Sequence, residues 1–269
     1  MRNERKVVLS LLAMAIASTA AACGEGDITQ PLSDEISHEQ ARRYLLDHPE
    51  LVLDDPEIRR SLHRARSKRE QEIAASWRES VLKEGSEVLN SPLTPSSGEA
   101  SAEITIIAFY DYQCGPCIAS HPELELVRAT EANVRIFFGQ LPIFGSHSIM
   151  AARAAIAANR QGHFEALHAA LMTANARLDM DAICAAAADA GLDVEQLRVD
   201  MRDPQVHQYL EEIRHLAQEL GITGTPAFVI GDEILFGGTT ADDLRAELDR
   251  QRARIDHHAQ GHHPAEVGA

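Results

Sequence analysis

Three things are scarce in this sequence: cysteine, basic charge and long apolar runs. Four cysteines in 269 residues are too few for a disulfide scaffold. Lys and Arg number 25 against 41 Asp and Glu, a formal charge of −16, so nucleic acid is not an expected partner. Beyond the N-terminal segment, no stretch approaches the length of a membrane span. What is present, 45% hydrophobic residues, is ordinary globular composition, with room for one substantial domain and a smaller module.

Residues 1–22 have the order of a secretory signal peptide: Arg2, Arg5 and Lys6, an apolar stretch from Val7 to Ala17, then the small residues Ser18 to Ala22. The apolar stretch is too short to span a membrane, so the expectation is export to the periplasm. Cleavage after Ala22 would make Cys23 the new N-terminus, where a bacterial lipoprotein carries its acyl chains. The flank Ala20-Ala21-Ala22 lacks the usual Leu three residues before the Cys, and ordinary Ala-x-Ala cleavage fits it too. Losing three basic residues and one acid would leave 22 Lys and Arg against 40 Asp and Glu, a formal charge of −18.

Ser37-His38-Glu39-Gln40 reads as a capping box opening a helix whose apolar face includes Ala41, Tyr44, Leu45 and, further on, Leu51 and Leu53, with Pro49 as an interruption. A longer helix is expected from near Pro56 to about Lys83, because Ile58, Leu62, Ala65, Ile73, Trp77, Val81 and Leu82 mostly recur at three- or four-residue steps. Residues 36–88 thus form a helical module, and 89–103, with its Pro, Ser and Gly, a linker. Two such helices make a poor core alone, which points to an oligomerisation arm. From Ile104 the pattern changes to strand (Ile104 to Phe109), helix, strand (Val134 to Phe138), a long helical block (148–220), a hairpin (Ala227 to Phe236) and a last helix from about Thr240 to Arg252. This order predicts an α/β thioredoxin fold with a central helical insertion over 104–252, preceded by the helical module and followed by a His-containing tail, 253–269.

The chemistry-bearing motif is Cys114-Gly115-Pro116-Cys117. A helix opening at this motif would place the Cys114 sulfur among unpaired backbone N–H groups, where helix dipole and hydrogen bonding favour thiolate. Cys117, one turn in, would be the more buried sulfur and would resolve a mixed disulfide formed on Cys114. Thr225-Pro226 just before a strand predicts a cis peptide bond that sets Thr225 beside the sulfurs, with backbone groups free to pair with a substrate peptide. The substrate-binding candidates are therefore Thr225 and Pro226. No second Cys pair or Cys/His pair at ligand spacing occurs in the folded region, so neither a structural metal nor any cofactor besides the Cys114–Cys117 disulfide is expected.

The segments Phe109 to Cys117, His121-Pro122-Glu123-Leu124, Leu141-Pro142-Ile143, Ala151 to Met172 and Leu220 to Pro226 resemble the DsbA-like group of periplasmic disulfide oxidoreductases. Ile36 to Glu57 is similar to the N-terminal module of the ScsC copper-tolerance branch. The resemblance implies thiol–disulfide exchange on cysteine-containing periplasmic proteins, a membrane partner that recycles the centre, and oligomerisation through residues 36–88, which tends to accompany isomerase work. Two departures matter. Gly115-Pro116 is the dipeptide of thioredoxin, which favours reduction, and the absence of a His between the cysteines removes one support for oxidising power. Where relatives commonly carry a Glu six residues before the first Cys, this chain has Ala108.

Simpler readings stand beside these. Cys184 reads as a buried inert thiol on a helix, and the basic run Arg59 to Arg69 as a solvated face. His257, His258, His262 and His263 read as a disordered tail, with copper binding as the alternative; Asp111 and Gln113 shape a turn; His121 and His147 are loop or core residues. The competing functions are a metal-tolerance protein using Cys114, Cys117 and the His tail, and a DsbA-type oxidase.

Overall fold

A computed structural model of the chain describes residues 38–50, 54–174 and 177–261. The signal segment, Cys23, Ser37, Leu51, Leu53, His262 and His263 lie outside the described residues. The chain divides into two compact units, 1–64 and 65–269. In the first, α1 (His38–Asp47) carries an Arg43–Glu39 ion pair, and Tyr44, Leu45 and Leu46 are exposed. The long helix α2 (Pro56–Glu84) begins in this unit, and its first-turn amides at Glu57 and Ile58 are accepted by Asp55 Oδ1.

The second unit is built on one mixed sheet in the order β1-β3-β2-β4-β5. Its strands are β1 (Ser96–Ser97), β2 (Ile104–Tyr110), β3 (Val134–Gln140), β4 (Ala227–Ile230) and β5 (Glu233–Phe236). β2 and β3 run parallel, joined by α4 (Gly115–Thr130) as a right-sized crossover, while β4 runs antiparallel to β2 and forms a hairpin with β5. Between β3 and β4 lie α5 (Ser146–Arg160), α6 (Phe164–Thr173), α7 (Met180–Asp189), α8 (Val194–Asp200) and α9 (Pro204–Glu219). The chain ends on α10 (Ala241–Gly261). This is the expected thioredoxin-type order with its helical insertion.

Strand alternation divides the core in two. Ile106, Ala108 and Tyr110 of β2 face one side with α4, α10 and the insertion helices α5 to α8; Ile107 and Phe109 face the other, against α9 and the end of α2. Three of the insertion helices, α7, α8 and α9, start on capping aspartates: Asp179 accepts from Ala182, Asp193 from Glu195 and Gln196, and Asp203 from Gln205.

Four expectations need correction. The stretch 89–103 is not a free linker. After the short α3 (Ser86–Leu89), Thr94 and Pro95 are buried, the Pro95 carbonyl accepts from Phe138 N at 2.9 Å, and Ser96 and Ser97 pair with Phe137 and Ile136. The open edge of β3 offers backbone groups that even a Ser-Ser pair can satisfy. Val81 and Leu89 are buried in the second core, so the end of the expected 36–88 module belongs to the larger unit. The last helix runs on to Gly261 rather than stopping at Arg252, so the tail at 253–261 is helical. Cys184 is half-buried, because Ile183 and Ala187 supply the buried face of α7.

Candidate functional site

The turn after β2 delivers the motif. Asp111, itself buried, accepts from Gln113 N at 2.7 Å through one carboxylate oxygen and from Ile143 N (2.7 Å) and Phe144 N (3.1 Å) through the other. It therefore ties the approach to Cys114 to the loop after β3, as the expected turn-shaping role requires. Cys114 is the N-cap of α4 and Pro116 sits in its first turn, where a missing N–H costs nothing. Ile118 N closes the first helical bond to the Cys114 carbonyl at 3.0 Å.

The Thr225–Pro226 bond is cis. The Thr225 carbonyl lies over the motif and accepts a hydrogen bond from Cys114 Sγ at 3.3 Å. The candidates Cys114, Cys117, Thr225 and Pro226 thus converge from positions more than a hundred residues apart, with Gly115 and Pro116 exposed at the surface. The sulfurs do not differ in exposure as expected. Both cysteines are 2% exposed, since the Thr225 loop covers Cys114 as thoroughly as the helix covers Cys117. Burial pushes the Cys117 thiol well above its ordinary range; the Thr225 hydroxyl, buried with no conventional partner of its own, and the Asp111 backbone act in the opposite direction.

A polar group missed by sequence reasoning lies beneath the pair. His168 of α6 is buried among Tyr110, Tyr112, Phe138 and Phe164, and Tyr112 Oη lies 2.9 Å from its Nδ1. Tyr112 Oη is in turn 3.3 Å from Tyr110 Oη, which accepts from Gln140 Nε2. Burial holds the His168 imidazole neutral, its pKa lowered to about 3, and lowers that of half-buried His121. The available signal was a histidine on the same helical face as Phe164, Leu167 and Leu171. His147 is half-buried at the start of α5, away from this cluster.

Other candidates stay apart from the sulfurs. The run Arg59 to Arg69 is exposed, with Arg66 and Lys68 paired to Glu70 and Glu72 on the same helix. Glu123 caps α10, accepting from Ala241 N at 2.8 Å. Among the described residues, no group of three or more His, Cys, Asp or Glu gathers as a metal site.

Comparison with known proteins settles the family. The DSBA-like thioredoxin domain matches residues 105–249, over half of the chain. The chain belongs to that family. A thioredoxin-like oxidoreductase from Silicibacter pomeroyi is 36% identical, with 62% of this chain and 96% of that one covered, at a TM-score of 0.59. A periplasmic thioredoxin-like protein from Salmonella enterica serovar Typhimurium is 30% identical (63% and 96% covered, TM-score 0.57). The catalytic domain of Proteus mirabilis ScsC is 29% identical (65% and 98% covered, TM-score 0.58). Among curated proteins, a Na(+)/H(+) antiporter NhaA of Herminiimonas arsenicoxydans is 29% identical over 170 residues, 61% of this chain. The chain spans about a quarter, 27%, of that relative's length. No helix among the described residues of this DsbA-like protein is long and apolar enough to cross a membrane.

Proposed function

We propose that this DsbA-like protein is an exported thiol–disulfide oxidoreductase that exchanges disulfides in periplasmic proteins through Cys114 and Cys117, working as an isomerase or reductase. The observation that carries this reading is the 3.3 Å contact between Cys114 Sγ and the Thr225 carbonyl at the mouth of a helix-capping Cys-x-x-Cys. It brings the nucleophilic sulfur and an exchangeable backbone acceptor to one place, the arrangement needed to hold an extended peptide while its disulfide is attacked. Cys114 attacks, a mixed disulfide forms and one substrate sulfur leaves as thiolate; Cys117 then displaces the second. Buried Cys114 requires the Thr225 loop to yield its hydrogen bond to an incoming chain, so substrate replaces an interaction already present.

The preference for reduction rests on the dipeptide Gly115-Pro116 and on Ala108, which puts no acid beneath the pair. A membrane partner recycles the centre, and export follows from residues 1–22. The exposed Tyr44, Leu45, Leu46 and Leu62 support assembly of several copies through the N-terminal helices; light scattering with and without residues 36–64 tests this part. The test of the main reading is the Cys114–Cys117 reduction potential together with refolding of a scrambled-disulfide substrate. A potential near −270 mV with isomerase activity is expected; a value near −120 mV would replace this reading by an oxidase. Cys114→Ser removes all exchange activity.

A further inference from the structure

Beneath Cys117 lies a small pocket of about 20 Å³ whose lining includes Ala108, Tyr110, Cys117, Ser120, His121 and His168. A water needs roughly 10–15 Å³ of such space and two or more polar partners. Cys117 and the two histidines supply those partners. His168 Nε2 is buried and has no hydrogen-bond partner among the protein groups, which is costly unless something in the cavity meets it.

The hydrogen-bond chain behind His168 has one direction in which its Nε2 carries the proton. Tyr110 Oη accepts from Gln140 Nε2, and the arrangement that gives every hydroxyl proton of the chain an acceptor has Tyr110 donating to Tyr112 Oη. Tyr112 then donates to His168 Nδ1. An imidazole that accepts at Nδ1 and is neutral carries its proton at Nε2, the atom without a protein partner. The chain therefore ends in a polarised N–H donor on a residue that lines the cavity under Cys117. The groups around the ring are His121 and Arg128 from α4, Tyr110 from β2, and Tyr112 from the following turn; all except Arg128 are neutral when the ring is neutral.

We propose that His168 is a positioning residue for the second step of exchange: through one water in this cavity it donates a hydrogen bond to the Cys117 sulfur and stabilises the negative charge that develops there. This rests on the reading of Cys114 and Cys117 as the redox centre. In that step the Cys117 S–H and the Cys114–substrate disulfide become the Cys114–Cys117 disulfide and a free substrate thiol. The S–S bond to substrate breaks, the new S–S bond forms, and the proton from Cys117 is passed through solvent to the departing substrate sulfur. The cysteine pair is oxidised and the substrate reduced. The device occupies the place above which relatives commonly set a Glu: Ala108 leaves the space and a neutral donor acts across it. A neutral donor favours thiolate at Cys117 without itself needing to titrate.

The test is rapid-mixing kinetics on the full chain, separating formation of the Cys114 mixed disulfide from its resolution by Cys117, between pH 5 and 9. His168→Phe keeps the ring volume and removes the donor; resolution should slow by about 10–100-fold, the worth of a hydrogen bond to a charged group, with mixed-disulfide formation unchanged. His168→Gln, whose amide N–H can stand where Nε2–H stood, should recover most of the rate. Tyr112→Phe, nearly isosteric, should slow resolution less. Nitrogen-15 NMR of the resting protein should show His168 neutral and protonated at Nε2, and that preference should weaken in Tyr112→Phe. Cys117→Ser is the control for the underlying reading: it should stall as the mixed disulfide, and if it turns over normally the redox-centre assignment itself fails. If Cys117→Ser stalls while His168→Phe resolves at the wild-type rate, or if His168 is protonated at Nδ1, the inference is overturned and the centre stands. Should His168→Phe not fold, the tautomer and the Tyr112→Phe rate decide the matter in the same way.

Discussion

The two faces of the central sheet bury different kinds of side chain. On one face Ala108 and Tyr110 meet Cys114, Cys117, His168 and the insertion helices α5 to α8; on the other Ile107, Phe109, Phe137 and Val229 meet Val206, Leu210, Ile213 and Leu216 of α9. Among the described residues, the buried apolar cluster of the second face holds no cysteine, and it packs closely where Gly139 passes so near Phe109 that a Cβ there would lie 2.9 Å from the Phe109 ring, while an open groove of about 410 Å³ runs past Ile107, Phe137 and Val229. Both faces are fed by the same strand, β2, through the two-residue alternation of its side chains. The difference teaches a division of labour. One face supplies stability by apolar burial alone. The other tolerates a cavity, two buried thiols and a tyrosine–histidine chain, each of which is less favourable for folding than a filled hydrocarbon core.

The strongest way to break this comparison is to damage the packed face alone. Phe109→Ala removes a ring that is fully buried, and the loss of transfer energy plus the cavity left behind should cost about 3–5 kcal/mol. Urea unfolding measures that loss. In the fraction that remains folded, the rate of disulfide exchange should be unchanged, because Phe109 points away from the sulfurs. A fall in exchange rate per folded molecule would show that the two faces are coupled, and the division of labour would have to be given up.

Acid should act on the sulfur face. The folded-state pKa of His168 is lowered to about 3 from an ordinary value near 6.5, by burial first and by His121 and Arg128 second. The unfolded chain therefore binds a proton there at a pH where the folded chain does not. Stability from this residue is fully present above pH 6.5 and is lost as pH falls towards 3, by roughly 5 kcal/mol in all. His121, lowered in the same direction, adds to the same slope. Urea unfolding at pH 7, 5 and 4 should show the wild type losing stability faster than His168→Phe. Equal slopes would mean that the sulfur face does not exclude charge as its burial requires.

The sequence revealed these two faces unequally. The strand periods at Ile104 to Phe109 and Val134 to Phe138, the Cys-x-x-Cys and Thr225-Pro226 are local patterns, and the structure sets Cys114 Sγ 3.3 Å from the Thr225 carbonyl. His168 was not legible, because its partner Tyr112 is far away in sequence and nothing local distinguishes a hydrogen-bonded histidine from one that merely packs. β1 escaped for a related reason. A Ser-Ser pair has no strand signal of its own, and it is the free edge of β3 that makes it one. The extension of α10 past Arg252 shows the limit of boundary residues: Arg252, Arg254 and Ile255 continue a helix where no Gly or Pro intervenes before Gly261.

The rim of the sulfur face gives the smallest and sharpest test, because it separates holding the face together from doing chemistry on it. Glu131, just past the end of α4, accepts from Arg245 Nε at 3.2 Å and from Arg252 Nη2 at 2.9 Å, fastening α10 to the helix that bears both cysteines. Its side chain is only 16% exposed, but both arginines are more open, so water screens the pairs and limits what they contribute. Glu131→Gln keeps the shape and removes the charge. It should cost about 1 kcal/mol at low ionic strength, and less in 1 M salt, where the Debye length is about 3 Å. Exchange kinetics should not change, since neither arginine lines the cavity under Cys117. A slowed resolution step in Glu131→Gln would mean that the position of α4 relative to α10 sets the chemistry at Cys117, and the boundary between the supporting and the reacting parts of the molecule would move outwards to this ion pair.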